Sequence, residues 1–210
     1  SLKVINFLLK MGMEKKYLSS VMTSGEAAMY AINQNKFGKT FFHLGPPRDT
    51  SVFDNVKENK TNIDQCDFIL CTGLFDDYAD DLNYYKDFLK NHISKKLICT
   101  NPDLTVHRGD IEELCAGSIA KVFEELGGKV SYFGKPYPEV YNLCFSEKEK
   151  VLAIGDNLRT DIKGANNLDI DSIFITKGVH RNEFKNESEL LKLIELYKVK
   201  PNYFQTELTW

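Results

Sequence analysis

The sequence contains no C-x-x-C pair, no even set of cysteines, no apolar run of membrane-spanning length and no massed basic stretch. Each absence closes a class. The five cysteines, Cys66, Cys71, Cys99, Cys115 and Cys144, mostly sit inside apolar runs. That placement fits reduced, buried thiols of a cytosolic (cytoplasmic) protein better than a disulfide framework or a zinc site. His43, His92, His107 and His180 have no ligand spacing, which also speaks against zinc. The lack of a long apolar run removes a transmembrane helix, and no charged-then-apolar leader opens the chain. Lysine and arginine total 27 against 30 acidic residues and are spread along the chain. A nucleic-acid partner is therefore not expected, nor a membrane partner. Internal repeats and low-complexity tracts are also missing.

What is there is regular alternation. With 210 residues, 42% of them hydrophobic, the chain can bury one sizeable core or two small ones. Residues 2–11 have helical spacing and stop at Gly12. Residues 20–23 read as a short strand, and Thr23 with Glu26 has the spacing of a capping box opening a helix. Residues 39–44, 67–73 and 96–100 read as strands, with a loop over 55–62, an acidic stretch over 76–85 and a helix ending near 93. A helix is expected over about 110–126, capped by Gly127-Gly128. Strand 129–133, helix 137–145, strand 150–154, helix 159–167, strand 171–176 and helix 187–197 complete the series. The pattern predicts an α/β architecture with mainly parallel sheet. The start at Ser1, already in helical spacing through Val4, Ile5, Leu8 and Leu9, leads us to expect that the native start lies elsewhere.

The segment richest in chemistry is Val151 to Ala165. A buried strand stops at Gly155-Asp156, a polar turn follows, then a helix. Asp156 and Asp161 are thereby set at the carboxyl end of a strand, the edge where open α/β sheets bind ligands. Paired carboxylates with an open mouth suit a hard cation such as Mg²⁺. Lys135, in Gly134-Lys135-Pro136, can serve the same site as a point charge for phosphate. Plainer roles stand beside these. Asp161 at a helix start is also explained as a cap, and Lys135 as a solvated surface lysine. Asn157 can orient Asp156. Asn101 and Asp103 either line a cleft or are ordinary Asn-Pro-Asp turn residues, and His107 sits in a segment read as loop. Tyr203, Phe204 and Trp210 read as packed onto the core rather than as a binding surface.

Gly134-Lys135-Pro136 with Pro138-Glu139, then Gly155-Asp156-Asn157 with Thr160-Asp161-Ile162 and Gly164-Ala165, resembles the haloacid dehalogenase-like (HAD) hydrolases. Thr100-Asn101-Pro102-Asp103 after a strand, and Gly178 after Ile175-Thr176, resemble their class IIA, C2-capped branch, which includes phosphatases of small metabolites. The similarity runs from about Gly12 to the end. It implies a Rossmann-like core, incomplete at its amino-terminal side, with an inserted α/β cap: core over 1–18 and 118–210, cap over 19–117. It further implies Lys135 as the catalytic lysine, Asp156 and Asp161 as the Mg²⁺ pair, and Asn101, Asp103 and Asn157 as substrate contacts. The chemistry implied is attack of an aspartate on phosphorus, giving an aspartyl-phosphate that water hydrolyses. Two expected motifs are not found, namely a strand ending in Asp-x-Asp ahead of the cap and a Thr- or Ser-bearing strand. Asp169-Ile170-Asp171 precedes a strand, Asp77 lies in a turn, and Asp110 opens the expected helix.

The expected function is therefore a fragment of a Mg²⁺-dependent phosphatase whose substrate is a small phosphorylated metabolite, the chain itself being catalytically silent. The alternative is a non-catalytic binding or regulatory short form using the cap as an interaction surface. A receiver-like domain, which predicts a single uninterrupted sheet, is a third reading. A homodimer is compatible with the sequence and not dictated by it.

Overall fold

The structure is a computed structural model describing residues 2–18, 20–108, 111–146 and 148–208. Its contacts divide the chain into two compact units, Ser1–Gly134 and Lys135–Trp210. In the first unit, α1 (Leu2–Lys10) is followed by α2 (Ser24–Asn33). The strand expected over 20–23 does not form; these residues lead into α2 as its extended approach. The capping box does form. Thr23 Oγ1 accepts from Glu26 N, and Glu26 returns a carboxylate oxygen to Thr23 N at 3.1 Å, so two amides at the helix start are satisfied reciprocally.

The core of this unit is a parallel sheet of β1 (Phe41–Leu44), β2 (Phe68–Cys71) and β3 (Lys96–Cys99). Helix α3 (Leu82–Leu89) connects the last two. Then come a hairpin of β4 (Thr105–Arg108) and β5 (Ile111–Leu114), helix α4 (Ala116–Glu125) and β6 (Lys129–Tyr132), which pairs parallel with β3. Strands buried on both faces need continuous apolar residues, and Phe68-Ile69-Leu70-Cys71 is fully covered. Ile69, Leu97 and Cys99 pack with Leu89, Ile119 and Phe123 from α3 and α4. Phe68 stacks on Phe41 with ring centroids 5.9 Å apart.

Two expectations change here. The helix expected from about 110 begins only at Ala116, because 111–114 pairs antiparallel with 105–108; residue 107 is thus in a strand rather than a loop, and Asp110 lies outside the described residues. By contacts, the spans 1–18 and 118–134, both expected with the core, group with the first unit; β6 completes its sheet and α4 packs on it. The stretch expected as loop over 55–62 largely holds a 3₁₀ turn, Asp54–Asn59.

The second unit holds α5 (Pro138–Tyr141), β7 (Leu152–Gly155), a π-helical turn over Leu158–Ile162, α6 (Lys163–Asn167), β8 (Asp171–Ile175), α7 (Glu187–Tyr197) and β9 (Tyr203–Gln205). Its sheet is parallel in the order β7-β8-β9. Leu158, Ile162 and Phe174 pack with Leu190, Leu193 and Val199. Tyr203 and Phe204, expected against the core, lie on β9 and are each about half exposed, while Trp210 lies outside the described residues. Two parallel sheets and a hairpin replace the single sheet that a receiver-like domain requires. Four cysteines are buried and Cys144 is exposed, and none of the five is disulfide-bonded among the described residues. Among the described residues no helix is long and apolar enough to cross a membrane.

His43 on β1 gives this fold a pH dependence. It is buried against Phe53, with Nε2 2.9 Å from Thr72 Oγ1. Burial first, then the charge of Lys60, lowers its pKa from 6.5 to about 4. A histidine held neutral in the fold ionises more readily when unfolded, so its contribution is complete above pH 6.5 and is lost as the pH falls toward 4. The loss is on the order of 3 kcal/mol. Urea unfolding at pH 7 and pH 4.5 should show a drop about 2 kcal/mol larger for the wild type than for His43→Gln; equal drops would contradict this.

Candidate active site

Asp156 follows the last residue of β7, so the strand delivers its side chain to the carboxyl edge of the sheet. The turn that follows folds back on itself through Asp161, which is buried. Asp161 Oδ2 accepts the amides of Asp156 and Asn157, both at 3.1 Å, and Oδ1 accepts the ammonium of Lys135. One carboxylate thus ties the strand end to a lysine 26 residues upstream. Lys135 follows Gly134 and is joined to Pro136 by a cis peptide bond. Its side chain is half exposed, so its charge is also presented outward.

The remaining turn contacts hold Asp156 itself. Val179 N donates to Asp156 Oδ2 at 2.9 Å. Asn157 caps the turn, its Oδ1 accepting from Arg159 N at 2.9 Å. Asp156 Oδ1 has no hydrogen-bond partner among the described residues. Two glycines make these approaches feasible. A Cβ on Gly155 would lie 2.2 Å from Asp161 Cγ, and one on Gly178 would lie 2.1 Å from Asp156 Oδ2. Real Cβ atoms do not approach so closely, so both carboxylates occupy space that only glycine leaves open.

Lys135, Asp156, Asn157 and Asp161 are therefore brought together in the second unit. Asn101 and Asp103 belong to the first unit, where Asn101 Oδ1 accepts from Asp103 N at 3.2 Å in a turn after β3. Asn101 also lines a cleft of about 600 Å³ at the carboxyl edge of that sheet, with Arg48, Asp49, Thr72 and Glu113. Two residues near the acidic pair escaped the sequence reading. Tyr141 lies against Gly164, and burial first, then the charge of Asp161, pushes its phenol well above the ordinary range. His180 is buried under the turn. No motif or spacing in the sequence points to either.

The donors present fit a hard divalent cation in a limited way. Mg²⁺ is commonly held by one or two carboxylates and retains several waters. Asp156 offers an oxygen without a partner among the described residues. Asp161 is already committed to two amides and an ammonium. Among the described residues no group of three or more His, Cys, Asp or Glu side chains gathers as a metal site.

The second unit is thus a parallel-sheet α/β unit with a lysine-paired acidic turn at a strand end, and comparison with known proteins places it in a class. The HAD-hydrolase-like family model matches residues 132–208. Ribonucleotide monophosphatase NagD of Escherichia coli (strain K12) is 31% identical over 88 residues, which cover 40% of this chain and 34% of that protein. The match thus spans about a third of the curated relative. A haloacid dehalogenase-like hydrolase from Brucella suis 1330 superposes with a TM-score of 0.78 at 25% identity, over 99% of this chain and 79% of that one. A 4-nitrophenylphosphatase from Thermotoga maritima gives 0.69 at 26% identity, over 98% and 76%. Residues 132–208 match the haloacid dehalogenase-like hydrolases in sequence, and the whole chain shares their fold.

The close approach at the strand end has a measurable consequence. Gly155→Ala should destabilise the protein by about 1–3 kcal/mol through overpacking. In an Asp161→Ala background, where the opposing carboxylate is gone, the added alanine should cost less than about 1 kcal/mol. Urea unfolding of the four proteins checks this, and additive costs would contradict the contact.

Proposed function

We propose that this chain is part of a Mg²⁺-dependent phosphatase of the class IIA, C2-capped kind, acting on a small phosphate monoester. The carrying observation is the joint placement of Lys135, Asp161 and Asp156 at the carboxyl end of β7. Its support is electrostatic. Two carboxylates against one ammonium leave net negative charge, which repels a phosphate. On this reading Asp156 ligates the cation directly through its unpartnered oxygen, and Asp161 acts through water and by holding Lys135. When bound, Mg²⁺ supplies the positive charge that lets phosphate and carboxylate approach each other. Lys135 steadies the phosphoryl oxygens from its exposed side.

The reaction we propose begins with attack of an aspartate carboxylate on phosphorus. The ester P–O bond breaks and the alcohol leaves with a proton supplied by a second carboxylic acid. Water then attacks the phosphorus of the aspartyl-phosphate, giving its proton to the same group and releasing inorganic phosphate. We assign neither aspartate to these 210 residues. The ends of β8 and β9 deliver Thr176 and Thr206 rather than carboxylates, and Asp156 is turned toward Val179. Asn101 and Asp103, in the unit we take as the cap, and Asn157 beside Asp156 are proposed substrate contacts.

Two assays test the reading. With Mg²⁺ and 4-nitrophenyl phosphate, the 210-residue chain should show no turnover above background; robust turnover abolished by Asp156→Asn would mean that a residue here is the nucleophile. A longer form carrying an upstream Asp-ended strand should turn over. It should lose about 10²–10³-fold in kcat with Lys135→Ala. An unchanged rate would remove Lys135 from the chemistry.

A further inference from the structure

The backbone of the turn that carries Asp156 does not supply acceptors for the leading amides of that turn. At the start of a helical turn the first N–H groups have no acceptor within it, and buried amides require one. Four consecutive amides find theirs in side chains. Those of Asp156 and Asn157 go to Asp161, that of Arg159 goes to Asn157, and that of Leu158 goes to His180 Nε2 at 3.1 Å. Three of the four acceptances come from within the turn. The fourth comes from across the unit, 22 residues away.

We propose that His180 is a positioning residue for Asp156, locking the Asp156–Leu158 turn through the Leu158 amide, with Glu183 setting its tautomer. This rests on the reading of Asp156 as the cation ligand. His180 has no exposed surface. An amide can only donate, so Nε2 must be the acceptor. A neutral imidazole then carries its proton on Nδ1, which faces Glu183 Oε1 at 2.7 Å. Tyr197 donates to the other oxygen of Glu183 at 3.4 Å, and its ring lies 5.1 Å from the imidazole. The Phe174 ring also packs against it, with centroids 6.1 Å apart. The ring is thus fixed in place, in orientation and in tautomer.

Its neighbours in sequence grip the same turn. Val179 N holds Asp156 Oδ2 at 2.9 Å, and Gly178 leaves room for that carboxylate. Residues 178–180 therefore clamp Asp156 and Leu158 together. With Oδ2 held by Val179, the other oxygen of Asp156 is aimed by where Leu158 is held. A core histidine that merely filled space would not need its acceptor nitrogen on the Leu158 amide, one that finds its acceptor outside the turn. Partners that orient metal ligands commonly change metal affinity by 10–100-fold when lost.

The test uses the intact 210-residue chain and Mg²⁺ alone. Ring ¹⁵N NMR of the wild type at neutral pH should show the Nδ1–H tautomer of His180; the Nε2–H tautomer would overturn the proposal. His180→Phe should speed amide exchange at Leu158 while leaving that of Phe174, in the core strand β8, unchanged. It should also weaken Mg²⁺ binding about tenfold, and His180→Gln, which keeps an acceptor and a donor, should restore both. Equal acceleration at Leu158 and Phe174 would reduce His180 to a packing residue and sink the idea. An Mg²⁺ affinity untouched by His180→Phe would sink it too. If the wild type shows no Mg²⁺ binding that Asp156→Asn removes, the cation reading fails. The clamp itself is then upheld or rejected by the tautomer and by exchange at Leu158.

Discussion

The arrangement around β7 depends on burying the carboxylate of Asp161. A buried charge is tolerated only when it is paired and hydrogen-bonded. Here one oxygen takes two successive amides and the other takes the Lys135 ammonium. Those three contacts dictate much else. They require glycine at 155, because the carboxylate lies against the strand end. They shape the segment after β7 as a wide π turn rather than an ordinary helical start, so that Asp161 reaches back to the amides before it. They also bring in the Gly-Lys-Pro turn. Half-exposed Lys135 would otherwise lose rotamer freedom without return, and a surface ion pair alone contributes little. Pairing with a buried acceptor is what holds it.

The same geometry separates two carboxylates that look equivalent in sequence. Asp161 is a structural centre with its acceptor capacity largely used. Asp156 is held by one oxygen and presents the other. On the proposed reading, such a pair would divide the labour of a cation site. One member would be free to ligate, and the other keeps the loop closed and the lysine near. Each carboxylate is given its place by a glycine from a different segment, Gly155 at the end of β7 and Gly178 beyond the end of β8. The turn is consequently braced from the adjacent strand as well as from within.

Legibility in the sequence followed the range of the interactions. The capping box of Thr23 and Glu26, the strand ending at Gly155 and the helix Glu187–Tyr197 rest on neighbours within a few residues, and each is where its local pattern places it, although the strand, expected to be buried, leaves Leu152 and Ile154 exposed. Lys135, Asp156 and Asp161 could be associated because their motif spacing carries the constraint that folding later enforces. The hairpin Thr105–Leu114 was not legible. Glu112-Glu113-Leu114 continues into a helical pattern, and only pairing across the turn makes it a strand. The division at Gly134 was equally hidden, since β6 becomes part of the first sheet through contacts with β3 about thirty residues earlier. His180 is the extreme case. Its role resides in one nitrogen facing one amide, and no periodicity or motif records that.

Charge explains why such a site resists working unaided. Burial makes Asp161 depend on Lys135, so the lysine's charge is largely answered before any ligand arrives. Asp156 then stands as an uncompensated negative group at the mouth of the strand. Removing Asp156 would make the site kinder to an anion but would leave no oxygen for a cation. Removing Asp161 would free the lysine but open the turn. On the proposed reading, a divalent cation on Asp156 would resolve the conflict, because it would reverse the local sign while leaving the Asp161–Lys135 pair intact. A site so built would take phosphate only with a cation, and that asymmetry would follow from which of the two aspartates the chain buries.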